Sequence, residues 1–391
     1  MFSELIINRR ECRLTVYLDN SATTRVCPEA AETVTRALTS EFGNPSSLHS
    51  LGTRAYVRLE AARRSLAASA GAKPEEMVFT SGGTEANNLV IFGAAGSHAS
   101  KKHFVTSAGE HHSVLEAFKR LEHLGAEVTI LPLSSDGTVD LTGFPNALKE
   151  NTALISVMAV NNETGAVNNT EQIYKTILAH YHGKKRPFFH TDGVQALTKI
   201  PLSLAFADMI TLSAHKIHGP KGSGALAVKK GCQLSPMFFG GGQERNLRPG
   251  TENLPGILGF AAALEACPPY PEQPRFFKYL YDYTCSLLSG FPFVKINSAG
   301  GVYSILNFSV LGIKSETMLH FLAKKDIFVS SGSACSKGKK SHVLAAMHLP
   351  ENVIDSALRV SFSRENKPED IDVLCAALQE GYEHIYRKGK L

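Results

Sequence analysis

The stretch that decides the fold reads ADMITLSAHKIHGPKGSG and spans residues 207–224. Its first seven residues are apolar and β-branched and too few for a helix, so they predict a buried strand. The strand runs into a segment rich in Gly and Pro that also carries Ser, His and Lys. Because an open α/β sheet binds ligands at the ends of its strands, we expect Lys216 to lie at the floor of a pocket. A desolvated lysine, or one beside other cations, loses its proton more easily and can form a Schiff base.

Two other interpretations of this stretch are an ordinary surface lysine and a phosphate-binding nucleotide loop, the latter because residues 219–224 read GPKGSG. The nucleotide loop requires four residues between its first Gly and Gly-Lys-[Ser/Thr], and it opens a helix. Here residues 225–228 (ALAV) predict another strand. Spacing and context therefore argue against the nucleotide loop, and the short connection predicts a strand antiparallel to its predecessor.

A second predicted strand, residues 187–192 (PFFHTD), ends in the carboxylate of Asp192, and Gln195 follows three residues later. Asp192 at one strand tip and Lys216 at another can face each other across one crevice. A pyridine cofactor held through its aldehyde needs such a carboxylate to keep its ring nitrogen protonated. The motifs DGVQ at 192–195 and SAHK at 213–216 resemble the pyridoxal-phosphate site of the class V aminotransferase family, specifically its cysteine desulfurase branch.

Composition limits the classes of protein that the chain can belong to. Its 391 residues predict two or three domains, and 43% hydrophobic and 20% charged residues are typical of a soluble globular protein. The net charge of +5 comes without a long basic run, and no apolar run approaches a membrane span, so we expect binding to neither DNA nor a membrane. Seven scattered cysteines without a Cys-x-x-Cys pair argue against zinc or disulfides and favour a cytoplasmic location.

A predicted anion site lies where the strand at residues 77–80 turns into a helix through residues 81–88 (SGGTEANN). The two glycines let the backbone approach a ligand, and we predict Thr84 as the N-cap. The free amides of the first turn then form an anion site with the helix dipole, although a capped helix without a ligand has the same pattern. The resemblance implies that the cofactor is held here, with Gly83 among its contacts and its phosphate bound by the following residues: Thr84, Ser213, His215 and, from the neighbouring subunit, Thr251.

The resemblance also implies roles for residues around the cofactor ring. His111, in the pair Glu110-His111, stacks on the ring and takes part in proton transfer. Asp192 holds the ring nitrogen protonated, and Gln195 bonds the phenolic oxygen of the ring. Lys216 holds pyridoxal 5'-phosphate covalently and then shuttles protons.

The substrate side of the site is implied by two further motifs. Asn162, at the polar strand tip NNETG (161–165), contacts the cofactor and the substrate carboxylate. Arg359, in the alternating strand 357–363, clamps the same carboxylate, for which the guanidinium geometry is suited. The loop 240–251 (GGGQERNLRPGT) lacks a core pattern, and the resemblance implies that it reaches into the second subunit of a homodimer.

Cys335 lies in the segment SSGSACSKGKK (330–340), which is almost devoid of apolar residues. Most cysteines are small core hydrophobes, but nothing around Cys335 has the composition of a core. Three lysines nearby, at 337, 339 and 340, lower a thiol pKa and raise the thiolate fraction. The motif resembles desulfurases of nitrogenase and iron–sulfur cluster assembly, which implies that Cys335 attacks the substrate sulfur. No metal site is expected, apart from transient contact of Cys335 with an iron–sulfur cluster.

These inferences predict an α/β protein of the fold-type I pyridoxal-phosphate transferase class, with a mostly parallel seven-stranded sheet. The proline-rich residues 268–274 separate a large cofactor-binding domain (25–267) from a smaller α+β domain (1–24 and 275–391) that carries Cys335. The implied function is conversion of L-cysteine to L-alanine with transfer of sulfur to an enzyme persulfide. The acceptor is open between a cluster scaffold and a transfer-RNA or cofactor thiolation enzyme. A selenocysteine lyase, another class V lyase or aminotransferase, and an inactive sulfur-relay scaffold are the alternatives.

Overall fold

The computed structural model describes residues 15–98, 100–331 and 340–388. The strands in chain order are β1 (Val16–Tyr17), β2 (Met77–Thr80), β3 (His103–Ser107), β4 (Glu127–Leu131), β5 (Thr152–Ser156), β6 (Phe188–Asp192), β7 (Met209–Ser213), β8 (Gly224–Val228), β9 (Val294–Ile296), β10 (Ile305–Val310), β11 (Ile327–Phe328) and β12 (Ala357–Ser361). The α-helices are α1 (Pro28–Thr39), α2 (Ser50–Ser69), α3 (Gly83–Ser97), α4 (His112–His123), α5 (Thr170–Tyr181), α6 (Leu254–Glu265), α7 (Glu272–Leu288), α8 (Ser315–Ala323), α9 (His342–Ala346), α10 (Glu351–Asp355) and α11 (Pro368–Lys388).

The largest sheet has seven strands in the order β2-β8-β7-β6-β5-β3-β4. The strands from β7 to β4 in this order pair in parallel, whereas β8 pairs antiparallel with both β7 and β2. The predicted mostly parallel seven-stranded sheet is therefore confirmed, as is the antiparallel course of β8. Because the parallel strands end at one edge of the sheet, the polar residues that follow β6 and β7 are brought together.

Helices cover both faces of this sheet, which explains why its strands read as continuous apolar runs. Every residue of β3, β5, β7 and β8 is buried. Along β7, Ile210 and Leu212 join the core beneath α2 and α6, while Met209 joins the core beneath α3 and α4. Because side chains alternate along a strand, one strand contributes residues to two separate apolar layers.

A further core, separate from the two that cover the large sheet, lies in the C-terminal part of the chain. It is built around the antiparallel sheet β9-β10-β12 and the helices α7, α8 and α11, and it includes Val16 and Leu18 from the N-terminal segment. The short strand β1 pairs in parallel with β11, which connects the N-terminal segment to the C-terminal part of the chain. This separate core supports the predicted small α+β domain, whose boundaries stay a prediction. None of the helices in the described ranges is long and apolar enough to cross a membrane.

The predicted N-cap of α3 is wrong by two residues. The helix begins at Gly83, its N-cap is Gly82, and Thr84 lies inside the first turn. Gly82 has a φ of 156°, a backbone conformation that glycine adopts without a Cβ penalty. In addition, a Cβ on Gly224 of β8 would lie 2.5 Å from the Cα of Gly82. The close approach of two backbones thus decides where this helix starts.

Candidate active site

A cavity of about 380 Å³ opens at the carboxyl ends of β6 and β7, beside the N-terminus of α3. Ten residues predicted from the sequence line it together: Gly83, Thr84, His111, Asn162, Asp192, Gln195, Ser213, His215, Lys216 and Arg359. The structure therefore brings the separate strand-tip motifs to one place. The individual role of each residue stays a prediction.

Lys216 lies in a single helical turn, Ala214–Lys216, directly after β7. Its Nζ donates to the carbonyl oxygens of Ser21 at 2.5 Å and Ala22 at 2.7 Å. These oxygens belong to the turn after β1, which also contacts the lysine segment through the backbone bond from Thr24 to His215. The N-terminal turn thus holds the amine in the cavity, a contact that the sequence motifs alone did not indicate.

Asp192 ends β6 as a buried carboxylate, 5% exposed. One oxygen accepts from the Asn87 side chain at 2.8 Å and the other from the backbone N–H of Val194 at 2.9 Å. Both donors are uncharged. A buried carboxylate is stabilised by a cationic partner, and a protonated pyridine nitrogen in the cavity would be one.

His111 caps the N-terminus of α4 and lines the cavity. Its Nδ1 lies 2.9 Å from the Ser113 hydroxyl and accepts from the Ser113 backbone N–H at 3.1 Å. Burial lowers the pKa of His111, so the ring is neutral at pH 7. Because Nδ1 is an acceptor in this arrangement, the proton of the neutral imidazole resides on Nε2. The second histidine, His112, also lines the cavity, and its ring centroid lies 5.0 Å from that of His342.

The predicted anion site combines several uncharged groups. The Ser213 hydroxyl is buried and has no hydrogen-bond partner, beside the free amides of the first turn of α3. Burial, together with the charge of Lys216, lowers the pKa of His215 to about 4, so its ring is neutral as well. A Cβ on Gly83 would lie 2.9 Å from a methyl group of Val194. A phosphate group placed here would satisfy the hydroxyl and the helix N-terminus.

The predicted substrate clamp, Arg359, lies on β12 and its side chain is buried at the cavity. The guanidinium donates to a carboxylate oxygen of Asp19 at 2.8 Å and to the carbonyl oxygen of Asn162 at 3.0 Å, while its Nε is buried without a partner. Asn162 lines the cavity, whereas the adjacent Asn161 bonds to the backbone of Gly109, which fixes the strand tip. The two asparagines therefore have different positions: Asn162 faces the cavity, and Asn161 holds the backbone of the strand tip.

Two buried carboxylic acids beside the cavity were not predicted from the sequence. Glu110 accepts from the Ser107 hydroxyl at 2.5 Å and from the Met158 N–H at 2.8 Å, and burial raises its pKa to about 8. Glu163 lines the cavity and accepts from the Ser341 hydroxyl, and burial raises its pKa to about 7. Both belong to motifs noted above, but only the fold shows that water is excluded from them.

Two predicted residues are not part of this cavity as the structure describes it. Thr251 lies in a separate surface depression with Phe238 and Phe239. Cys335, with the lysines at 337 and 339, lies outside the described residues. The chain that resumes after this segment lines the cavity at Ser341 and His342.

Comparisons with known proteins identify the family of the chain. The model of the family described as aminotransferase class-V matches residues 16–374. The chain belongs to this family. Within it, a curated NifS/IcsS protein homolog of Lactobacillus delbrueckii subsp. bulgaricus is 41% identical over 380 residues, covering 95% of this chain and 98% of the relative. The cysteine desulfurase IscS of Methanosarcina thermophila is 38% identical, covering 93% and 91%.

Solved structures of class V relatives share the fold. A NifS-like protein superimposes with a TM-score of 0.86 at 33% identity, covering 95% of this chain and 100% of the other. A structure titled SspA in complex with cysteine has a TM-score of 0.79 at 32% identity, covering 89% and 99%. The predicted family, its cysteine desulfurase branch and the fold-type I architecture are confirmed.

Class V enzymes of this branch use pyridoxal phosphate, and the cavity fits that cofactor. The amine of Lys216, the buried carboxylate of Asp192 and the unpartnered hydroxyl of Ser213 lie in one cavity. They match the aldehyde, the ring nitrogen and the phosphate of the cofactor respectively. The donor set therefore supports pyridoxal phosphate as the resident group.

Proposed function

We propose that this class V cysteine desulfurase converts L-cysteine to L-alanine and leaves the sulfur on Cys335 as a persulfide. The observation that carries the proposal is the convergence of Lys216, Asp192 and Arg359 on one cavity. An amine, a ring-nitrogen carboxylate and a carboxylate clamp are together what a pyridoxal-phosphate enzyme acting on an amino acid requires. The names of the relatives add the substrate class.

Each cavity residue has a separate role in the proposed reaction. Pyridoxal phosphate, when bound, supplies the electron sink for bond cleavage at the substrate. Arg359 orients the substrate by its carboxylate, with Asn162 beside it. Lys216 holds the cofactor and moves protons at the substrate carbon, and His111, neutral with its proton on Nε2, exchanges a proton on the same side of the cavity. Burial of these groups excludes water, which strengthens each electrostatic contact.

The sulfur transfer requires a second nucleophile, for which we propose Cys335. Its thiolate attacks the sulfur of the bound cysteine, so that an S–S bond forms as the substrate C–S bond breaks. The carbon keeps the electron pair of the broken bond, gains a proton and leaves as alanine. L-cysteine and the enzyme thiol thereby give L-alanine and an enzyme persulfide, with no external oxidant or reductant.

The test compares Cys335→Ser with Lys216→Ala. Forming the complex of cofactor and cysteine requires only Lys216, so Cys335→Ser should keep the visible cofactor band and its response to cysteine but release almost no alanine. Lys216→Ala should lose both the band and turnover. After treatment of the wild type with cysteine, mass spectrometry should find one additional sulfur on the Cys335 peptide, removable by reductant.

The same experiment decides between this function and its alternatives. If Cys335→Ser keeps most of its alanine production from cysteine, Cys335 is only a loop residue and the assignment returns to a less specific class V lyase. If the wild type turns over selenocysteine but not cysteine, the chain is a selenocysteine lyase. A wild type that binds pyridoxal phosphate but releases no product from either amino acid would be the inactive scaffold.

We further propose a homodimer, in which each loop 240–251 contributes Thr251 to the phosphate site of the other subunit. Exposed apolar side chains support a second copy as the occupant of this face: Phe238 is 51% and Phe239 is 89% exposed beside Thr251. The acceptor of the persulfide sulfur is a protein, such as an iron–sulfur cluster scaffold or a transfer-RNA or cofactor thiolation enzyme. The five free cysteines in the described ranges support the cytoplasm as its location.

A further inference from the structure

Lys199 lies beside the cavity, in the turn that follows β6. Backbone hydrogen bonds from Leu197 to Gly193 and from Lys199 to Ala196 coil residues 193–199 into a helical turn. Residues four apart on such a turn lie on the same side, and the Lys199 Nζ donates to the Oε1 of Gln195 at 3.1 Å. None of the sequence motifs assigns a role to this lysine.

The contact determines which end of the Gln195 amide faces the cavity. A lysine ammonium donates hydrogen bonds and cannot accept them, so Oε1 turns toward Lys199. Nε2 points the other way and donates to the carbonyl oxygen of Ser21 at 3.0 Å. Because an amide nitrogen carries two hydrogens, one N–H of Gln195 remains for a group in the cavity that this side chain lines.

The same contact joins Lys199 to the catalytic lysine. The carbonyl oxygen of Ser21 accepts from both Gln195 and Lys216, so a continuous chain of hydrogen bonds runs from Lys199 to Lys216. The space that adjoins the two lysines measures about 10 Å³, room for no more than one water molecule. This space is therefore too small for a ligand at Lys199, and the hydrogen bond to Gln195 links the lysine to the cavity.

The charges around Lys199 are those of Lys216, His218 and the thiol of Cys267. Burial and the positive charge of Lys216 lower the pKa of Lys199 to about 7. The ammonium can only donate and so fixes the amide with Oε1 toward Lys199, whereas the neutral amine can also accept. The positioning of the amide is therefore strongest below this pKa.

We propose that Lys199 is a positioning residue, which turns the Gln195 amide so that its remaining N–H faces the phenolic oxygen of pyridoxal phosphate bound at Lys216. Without Lys199 the amide can rotate and present its carbonyl oxygen, which repels the phenolic oxygen. The inference rests on cofactor binding at Lys216 and not on desulfuration, so it is tested without cysteine.

The first measurement is the pH titration of the visible band of the bound cofactor. A donor to the phenolic oxygen favours the form in which the nitrogen linked to the cofactor is unprotonated. Lys199→Met, which removes the donor but keeps the length of the side chain, should therefore raise the midpoint by roughly one pH unit. It should also weaken binding of pyridoxal phosphate to the apo-protein by about 5-fold. Lys199→Arg, which still donates, should stay close to the wild type in both.

A double-mutant cycle with Gln195→Ala separates positioning from a direct effect of charge. If Lys199 acts through the amide, adding Lys199→Met to Gln195→Ala causes no further shift of the midpoint. Shifts that add would mean that the charge of Lys199 acts directly, and they would overturn the proposal. Lys229→Met is the matched control, because Lys229 contacts the hydroxyl of Tyr174 rather than the cofactor site.

Two further outcomes would overturn the proposal. One is a folded Lys199→Met protein with the midpoint and the cofactor affinity of the wild type. The other applies if the methionine variant does not fold: Lys199→Leu, whose side chain carries no N–H donor, then replaces it, and an unchanged midpoint in that variant contradicts the proposal. Loss of desulfuration with a normal midpoint would concern Cys335 and the proposed function instead.

Discussion

At the scale of the residue, three buried polar atoms without hydrogen-bond partners lie at the cavity proposed to bind the cofactor and the substrate. The Ser213 hydroxyl, the Asn87 Oδ1 and the Arg359 Nε are buried without hydrogen-bond partners, and all three residues line the cavity. Buried polar groups in proteins are normally satisfied, and each one that is not costs about 1–3 kcal/mol. A bound phosphate would accept from the Ser213 hydroxyl and an amino-acid carboxylate from the Arg359 Nε, whereas the Asn87 Oδ1 can be satisfied only by a donor.

Glu110 gives the site a dependence of stability on pH. Its folded pKa of about 8 lies above the ordinary value of 4.5, so it contributes stability below pH 4.5 and loses that contribution as pH rises through 8. Glu110→Gln does not titrate. Relative to this variant, the unfolding free energy of the wild type should therefore fall by about 3 kcal/mol between pH 5 and pH 8.

Urea unfolding of both proteins at several pH values measures this difference. The other titrating groups are common to the two proteins, so their effects cancel in the comparison. A difference that stays constant from pH 5 to pH 8 would show that Glu110 is ionised in the folded protein.

At the scale of the element, one buried ion pair holds the loop that carries Thr251. Arg63 on α2 forms two hydrogen bonds with Glu244 at 2.7 and 2.8 Å, and the same carboxylate accepts from the Phe79 N–H of β2. Residues 244–246 are all in the left-handed region, with φ from 44° to 62°. Non-glycine residues reach this conformation only at a cost, which the ion pair offsets.

We therefore predict that Arg63→Met destabilises the protein by about 3–5 kcal/mol, because it leaves the carboxylate of Glu244 buried without a cation. The side chains of Arg63 and Glu244 are only 10% and 2% exposed. Lys278→Met is the matched control, since Lys278 pairs with Asp282 on an exposed helix face. The loss of stability caused by Lys278→Met should be too small to measure. Equal thermal midpoints for the two variants would contradict the prediction.

The sequence predicts elements and strand tips well, because their signals are local. The apolar runs of β6 and β7 and the polar residues behind them led to Asp192 and Lys216 directly. The predicted start of α3 was wrong because the actual start depends on the contact of Gly82 with Gly224, and these two residues are distant in the chain. Pairs such as Arg63 with Glu244 have no local signal at all, since 181 residues separate them.

At the scale of the whole molecule, the cavity is assembled from both cores. Lys216 follows a strand of the large sheet, whereas Arg359 and Ser341 come from the C-terminal part of the chain. Relative motion of the two parts would change the distance between the cofactor site and the substrate clamp. This arrangement suits a reaction in which cysteine must enter and alanine must leave a water-poor site.

The role proposed for Thr251 requires a second copy of the chain. If it completes the phosphate site of the other subunit, a subunit with Lys216→Ala and one with Thr251→Ala are defective in different sites. In a mixed dimer, one site then has both the intact Lys216 and the intact Thr251, while the other has neither.

Mixing the two variants under conditions that exchange subunits should restore activity toward one quarter of the wild-type value, since about half of the dimers are mixed and each has one good site. Each variant incubated alone is the control, and sedimentation verifies that exchange occurred. Activity that equals the average of the two separate variants, or a fully active monomer, would rule out a shared site.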